Sequence, residues 1–454
     1  MKHWGVTRRA RIAARNLSAF LLVSLCAGAV LATDKAKPEK KLEKVTPSIV
    51  IPLARLGYRG TPTAGLLQTR AAMVTVDFLD SDHILFTYAP RPLMSREEAP
   101  KERGARGDRI VHAEVVALPD GKLITEKDWR LHDREPYLWP LSDGSFLLRI
   151  GGTLNLLDKD LTLTKVMETG DPIRWVQADK GANLLVVEVE REQHTETQHE
   201  KLAHDALLFN APAPAEDYET YGLRLPLPGK DATKQIFHFH MTQPGALTGN
   251  DEWLLKPESG SNGKFEITAL PLTKAGQKHV VLKVKSDCRP TSVMLRHDVA
   301  MVGACKTRGL VEYGITLDGK ILWKQEVEEP KWPFYERAAN GSRFAMQKVT
   351  RLDEDSPTSG EAEVFDVATG QRMFAVPLQP LYSSRSTVAL APDGLRVALL
   401  RDGALEIFDL PPVPIAPAVP MSPSKNAKAP APSTEKPPAA TEAPAALPKP
   451  ADAR

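Results

Sequence analysis

Apolar residues in this chain fall into short runs of about four to eight positions separated by turn-forming residues, a spacing that fits strands rather than long helices. The clearest stretch, Val388-Ala-Leu-Ala-Pro-Asp-Gly-Leu-Arg-Val-Ala-Leu-Leu-Arg-Asp-Gly-Ala-Leu-Glu-Ile-Phe-Asp-Leu410, sets three such runs apart with two Asp-Gly pairs. Asp-Gly supplies the positive φ that a tight hairpin demands, and the flanking Val, Leu, Ile and Phe suit a half-buried pleated surface. This stretch therefore predicts three consecutive antiparallel strands. No long stretch sustains a 3.6-residue apolar period over three turns, so the predicted class is all-β.

The strand-turn-strand unit recurs along the chain. Its anchors are Phe78 to Phe86, Trp139 to Leu148, Trp175 to Val187, Gly249 to Leu255, Val293 to Val302, Ala338 to Met346 and Pro392 to Gly394. From Asp82 to Asp393 the six steps average roughly 52 residues, room for four strands and some enlarged loops. Seven anchors predict a seven-bladed β-propeller over residues 48–410. The last unit stops at Leu410 one strand short, and the run from Ser48 to Gly57 is positioned to supply it. Closure by an N-terminal strand would remove an open sheet edge.

Two units carry a family resemblance. Ala391-Pro-Asp-Gly394, Ala398 and Ile407-Phe-Asp-Leu410 resemble a WD40-type repeat, and Val364-Phe-Asp-Val-Ala-Thr-Gly370 resembles the same element one unit earlier. Phe408 stands where that family often has Trp, and no Gly-His pair precedes any unit. The segment from Tyr313 to Lys324 is similar to one repeat of quinoprotein-type propellers. The resemblance implies a divergent, bacterial-type propeller; export and a role as a protein-binding scaffold are expected on the separate grounds of the N-terminal segment and the surface loops. The alternative it implies is a lactonase-type or quinoprotein-type enzyme with a metal or cofactor at the central channel.

The ends change the reading of charge. Lys2, Arg8, Arg9, Arg11 and Arg15 precede an apolar stretch from Leu17 to Leu31, and no acid occurs before Thr33. This pattern predicts a secretory signal peptide, residues 1–32, cleaved after Ala32. The whole chain holds 59 bases against 57 acids, so losing those five bases leaves a slightly acidic protein. A nucleic-acid partner then lacks its electrostatic support. Residues 33–47 read as a charged linker. Residues 411–454 are rich in Pro and Ala, and such a tail cannot bury enough apolar surface to order itself. The expected product is a secreted or periplasmic monomer with no integral membrane span after cleavage.

Candidate chemistry is sparse. Besides Cys26, the chain has Cys288 and Cys305, which flank the turn at His297-Asp298 about opposite each other on adjacent strands and predict a disulfide worth about 3 kcal/mol through loop closure. His238 and His240 share one face of a strand, but a metal needs further ligands. His199 and His204 stand one residue too far apart for a zinc-protease helix, which leaves His194, His199 and His204 in a solvated loop. Glu188, Glu190 and Glu192 alternate along a strand, and Asp353-Glu354-Asp355 lack the glycine of a calcium loop. Nucleophile-elbow, phosphate-loop and dinucleotide motifs are absent from the sequence. No catalytic residue, metal ligand or cofactor is assigned.

What remains is a recognition surface. The insertions Ala89 to Arg109, Glu192 to His204 and Arg351 to Glu361 each follow the second strand of a unit, so they should emerge on one face. Arg91, Arg96, Arg103 and Arg106 alternate with Glu97, Glu98 and Glu102 in the first, while His199 lies in the second and Asp353 and Asp355 in the third. Mixed charge on loops held by a rigid body favours a protein partner, here another envelope or secreted protein. A glycan-binding rim would instead draw on Trp129, Trp139, Trp175 and Trp332.

Overall fold

The computed structural model describes residues 45–58, 74–90, 109–131, 136–141, 143–178, 184–191, 217–225, 233–241, 247–272, 277–327, 334–353, 356–378 and 387–412. The folded body begins at Pro47; of the separate unit 1–46, only Val45 and Thr46 are described. The predicted signal peptide, most of the predicted linker and the chain beyond residue 412 lie outside the described residues. Among the described residues no helix is long and apolar enough to cross a membrane.

Strands β1 (Ile49–Pro52) to β28 (Ala404–Asp409) form seven four-stranded antiparallel sheets. The first joins β2 (Thr75–Phe78), β3 (His83–Tyr88), β4 (Arg109–Ala117) and β5 (Lys122–Leu131) in chain order. Five more meanders follow, running from β6 (Leu138–Pro140) to β9 (Leu163–Glu168), β10 (Ile173–Ala178) to β13 (Lys234–Met241), and β14 (Thr248–Gly249) to β17 (His279–Lys285). The last two of the five run from β18 (Thr291–Arg296) to β21 (Ile321–Val327) and from β22 (Phe334–Arg337) to β25 (Arg372–Leu378). Each of the seven predicted anchors falls on the hairpin between the first and second strands of a sheet.

The seventh sheet combines both ends of the body, in the order β1, β28, β27 (Arg396–Arg401), β26 (Val388–Leu390). Ile49 pairs with Ile407 and Ile51 with Leu405, and Leu53 N–H continues the ladder to Gly403 O at 2.9 Å. β1 takes the outer edge, where Pro52 needs no ladder donor. Ile51, 1% exposed, packs with Val76 and Phe86 of the first sheet and Ala398 and Leu405 of the seventh. The chain then turns through a short 3-10 segment, Leu53–Leu56, that ends at Gly57 with φ +70°. A seven-bladed β-propeller closed by its N-terminal strand is the observed fold.

The core is divided among the gaps between neighbouring sheets, because alternating side chains point to the two faces of each strand. Val111, Trp129 and Phe146 fill the gap between the first and second sheets, and Met301, Trp323 and Phe344 that between the fifth and sixth. Trp323 also donates from Nε1 to Val367 O at 2.8 Å. It fits because a Cβ at position 314 would come within 2.1 Å of its ring, which makes Gly314 a packing requirement. On one face the hairpins are tied turn to turn: Asn250 Nδ2 donates to His297 O and Asn340 Nδ2 to Asp393 O, each at 2.7 Å.

Two expectations need correction. Arg351 to Glu361 is not a loop: β23 (Arg343–Asp353) and β24 (Ser356–Asp366) run on through it, pairing Val349 with Gly360 and Asp353 with Ser356. Continuing the ladder satisfies backbone groups that a loop would leave to solvent. The Cys288–Cys305 disulfide is present, with Cα atoms 5.5 Å apart, but Cys288 precedes β18 rather than lying in it. The bond thus ties the crossover between two sheets to the end of β19 (Val299–Cys305). Since Ile51 is the buried wedge at the closure seam, Ile51→Ala should destabilise the fold by about 2–5 kcal/mol, measured as a lowered urea midpoint at unchanged slope.

Candidate functional site

In each meander the first-to-second and third-to-fourth turns emerge on one face, and the second-to-third connections and the crossovers between sheets on the other. Among the described residues the first face carries compact turns, several closed by Asx residues: Asp143 accepts from Ser145 N–H, Asn340 from Ser342 N–H and Asp393 from Leu395 N–H. The second face carries the long insertions. Residues 89–108 join β3 to β4, and residues 192–216 join β11 (Leu184–Arg191) to β12 (Asp217–Arg224). In the sixth sheet the same position is taken by the extended β23–β24 hairpin. All three insertions therefore stem from equivalent positions, as their sequence positions implied. Arg91, Arg96, Arg103, Arg106, His199 and Asp355 lie outside the described residues, and Asp353 ends β23.

The innermost strand of each sheet faces the ring axis. From β22, Arg337 donates through Nη1 to Met294 O on β18 and through Nη2 to Ala178 O at the end of β10. β10 belongs to the third sheet and β22 to the sixth, nearly opposite in a ring of seven. A guanidinium therefore crosses the channel.

A buried polar network underlies the β23–β24 hairpin. Glu312 on β20 (Leu310–Thr316), with no exposed surface, accepts from Tyr335 Oη and from Gln325 Nε2, the latter at 2.5 Å. Lys348 bridges Glu361 and Glu363 at 3.0 Å each, and Arg372 holds the other oxygen of Glu363 at 2.6 Å. Burial pushes the Glu312 carboxyl above its ordinary range against the pull of its two hydrogen-bond donors, and nearby Glu363 adds to the shift. Burial likewise raises the Tyr335 phenol well above its ordinary value. The network clamps the fifth sheet to the base of the hairpin.

His238 and His240 do share one face of β13, and both turn to Glu219, itself 5% exposed. Arg191 Nη2 also binds that carboxylate at 3.0 Å, so a cation already neutralises it. His238 stacks on Tyr221 with ring centroids 4.6 Å apart. Beside them a cleft of about 490 Å³ opens between the second and third sheets, lined by Met167, Thr169, Asp171, Arg191, Glu219 and Tyr221. Glu188 is buried in β11, and His194, His204 and Glu192 lie outside the described residues. Of the residues named for an aromatic rim, Trp129 is core, Trp139 lies under Arg149, Trp175 is 36% exposed and Trp332 lies outside the described residues.

Sequence reasoning missed Arg337, Glu312 and a set on the first sheet where His112 and Glu114 of β4 face Asp128 and Glu126 of β5. A single acid in the apolar run Leu310-Val-Glu-Tyr-Gly-Ile315 was the signal for Glu312. For the first sheet it was the pairing of His-x-Glu with Glu-x-Asp across one hairpin.

No family model matches the chain, and no curated protein matches it. Among solved structures, a chain of the Mitotic Checkpoint Complex is 10% identical, covering 86% of this chain and 99% of its own, with a TM-score of 0.44. An uncharacterised protein from Listeria monocytogenes is 8% identical, covering 77% and 97%, with a TM-score of 0.45. The WD40 domain of Toxoplasma gondii coronin is 9% identical, covering 79% and 85%, with a TM-score of 0.42. The description of this chain as a seven-bladed β-propeller closed by its N-terminal strand stands on its own sheet order and pairing.

Because folded Glu312 holds its proton to higher pH than the unfolded chain does, the fold binds an extra proton between the ordinary carboxylate range and the raised value. Stability from this group is present below that window and is lost as pH rises through it. In urea unfolding from about pH 4 to about pH 8, Glu312→Gln should therefore gain stability over the wild type as pH rises.

Proposed function

We propose that this protein is an exported, non-enzymatic propeller that binds another envelope or secreted protein through the face bearing its second-to-third strand connections. The observation that carries the reading is the asymmetry of the connections. Two long insertions and one extended hairpin arise at equivalent positions of the first, third and sixth sheets, whereas among the described residues the opposite face carries short turns, several closed by side-chain hydrogen bonds. Unequal elements on one side of a rigid body form a recognition surface without disturbing the fold beneath. The charge pattern of residues 91–108 suits a partner of mixed charge. Export rests on the basic, then apolar, first 32 residues.

The alternative, a lactonase-type or quinoprotein-type enzyme, would hold a metal or cofactor on the axis. Arg337 already reaches across that axis to Met294 O and Ala178 O, so its side chain takes up space that such a group would need. The binding reading is the stronger of the two.

Replacing residues 90–108 by a short Gly-Ser linker tests it. The variant should keep its unfolding midpoint and lose the partner recovered by wild-type protein from envelope extracts. An unchanged set of captured proteins would count against this face.

A further inference from the structure

We infer that the outer half of the first sheet holds a divalent transition-metal ion, zinc by its ligand chemistry, between His112, Glu114 and Glu126. The register sets His112 opposite Asp128 and Glu114 opposite Glu126, all four on one face of the β4–β5 hairpin. Nε2 of His112 lies 3.1 Å from Glu114 Oε1 and 3.7 Å from Glu126 Oε2, and the three donor atoms fall within 4.8 Å of one another. Ligands about 2.0–2.1 Å from a tetrahedral ion stand about 3.3 Å apart, a spacing the two shorter separations bracket. Glu126, more than half exposed, has the freedom to close the third edge.

The imidazole is also oriented for ligation. Its Nδ1 lies 2.7 Å from Asp128 Oδ1, so Asp128 accepts the Nδ1 proton and leaves the Nε2 lone pair directed at the two glutamates. A carboxylate behind a histidine is the arrangement that fixes the tautomer and raises ligand basicity in metal sites. Glu114, only 6% exposed, faces another glutamate directly across the ladder, a like-charge pairing that costs stability unless a cation lies between. An imidazole with two carboxylates favours zinc over calcium or magnesium, which prefer all-oxygen sets. Tyr88 stands opposite His112 on β3 and closes one side, its ring 5.4 Å away and edge-on. Arg130 follows Asp128 on the same face, paired in register with Ile110.

Tyr88 ends β3 and His112 lies near the start of β4, so the ion would sit at the root of the 89–108 connection. The inference rests on β3, β4 and β5 and does not depend on what the loop face binds.

Untagged protein stripped with EDTA and dialysed should take up one Zn²⁺ per chain in titration calorimetry with Zn²⁺ alone. His112→Gln and Glu126→Gln should each weaken that binding at least tenfold, and Asp128→Asn by about 10–100-fold, with unfolding midpoints unchanged without metal. His238→Gln should bind as the wild type does, and Co²⁺ in place of Zn²⁺ should give the visible absorption of a tetrahedral site. Absence of stoichiometric binding by the wild type would overturn the inference, leaving an imidazolium held among carboxylates. Equal binding by His112→Gln and Glu126→Gln would overturn it too, placing the ion elsewhere.

Discussion

The ring depends on one antiparallel pairing, β1 against β28. Ser48 and Ile407, separated by 359 positions, meet through both a backbone and a side-chain hydrogen bond. Without β1 the seventh sheet would present β28 as an unpaired edge, and Val76, Phe86 and Leu405 would lose the side chain that fills the seam between them. The entropic cost of closing so long a loop grows only with the logarithm of its length, so a four-residue strand with one fully buried isoleucine can hold the ends together. Pairing across such a separation also implies slow folding compared with the local hairpins that build each sheet.

Much of this architecture was legible because it is specified locally. A tight hairpin between apolar runs needs particular turn chemistry, and Asp143-Gly144, Asn340-Gly341 and Asp393-Gly394 all appear at first-to-second turns with positive φ at glycine. The missing strand of the last unit was legible by subtraction. The extension of β23 and β24 was not, because a run of polar residues in sequence reads the same whether it continues a ladder or forms a loop. Cys288 paired with Cys305 as their spacing suggested. The spacing did not reveal that one partner sits in a crossover, since a symmetric distance about a turn fixes proximity and not strand membership.

The functional groups were less legible for a different reason. Arg337 acts across 159 positions on Ala178, a relation with no local signature. His112 and Glu114 look like ordinary members of an alternating strand until the register places Glu126 and Asp128 opposite them. A two-residue alternation states which side chains share a face. Only the pairing states which two faces meet, and a slip of one residue would separate all four groups.

Buried polar groups also explain how seven similar sheets settle into one relative placement. Apolar surfaces tolerate small slides, because area removed from water changes little with displacement. A buried donor that loses its acceptor costs about 1–3 kcal/mol. Arg343, with no exposed surface, donates to Gly394 O and to Pro411 O of the seventh sheet, and Arg337 spans three sheets. Sliding the sixth sheet past the seventh by one residue would break both bonds of Arg343 at once. The apolar gaps supply cohesion, and the long polar side chains fix register.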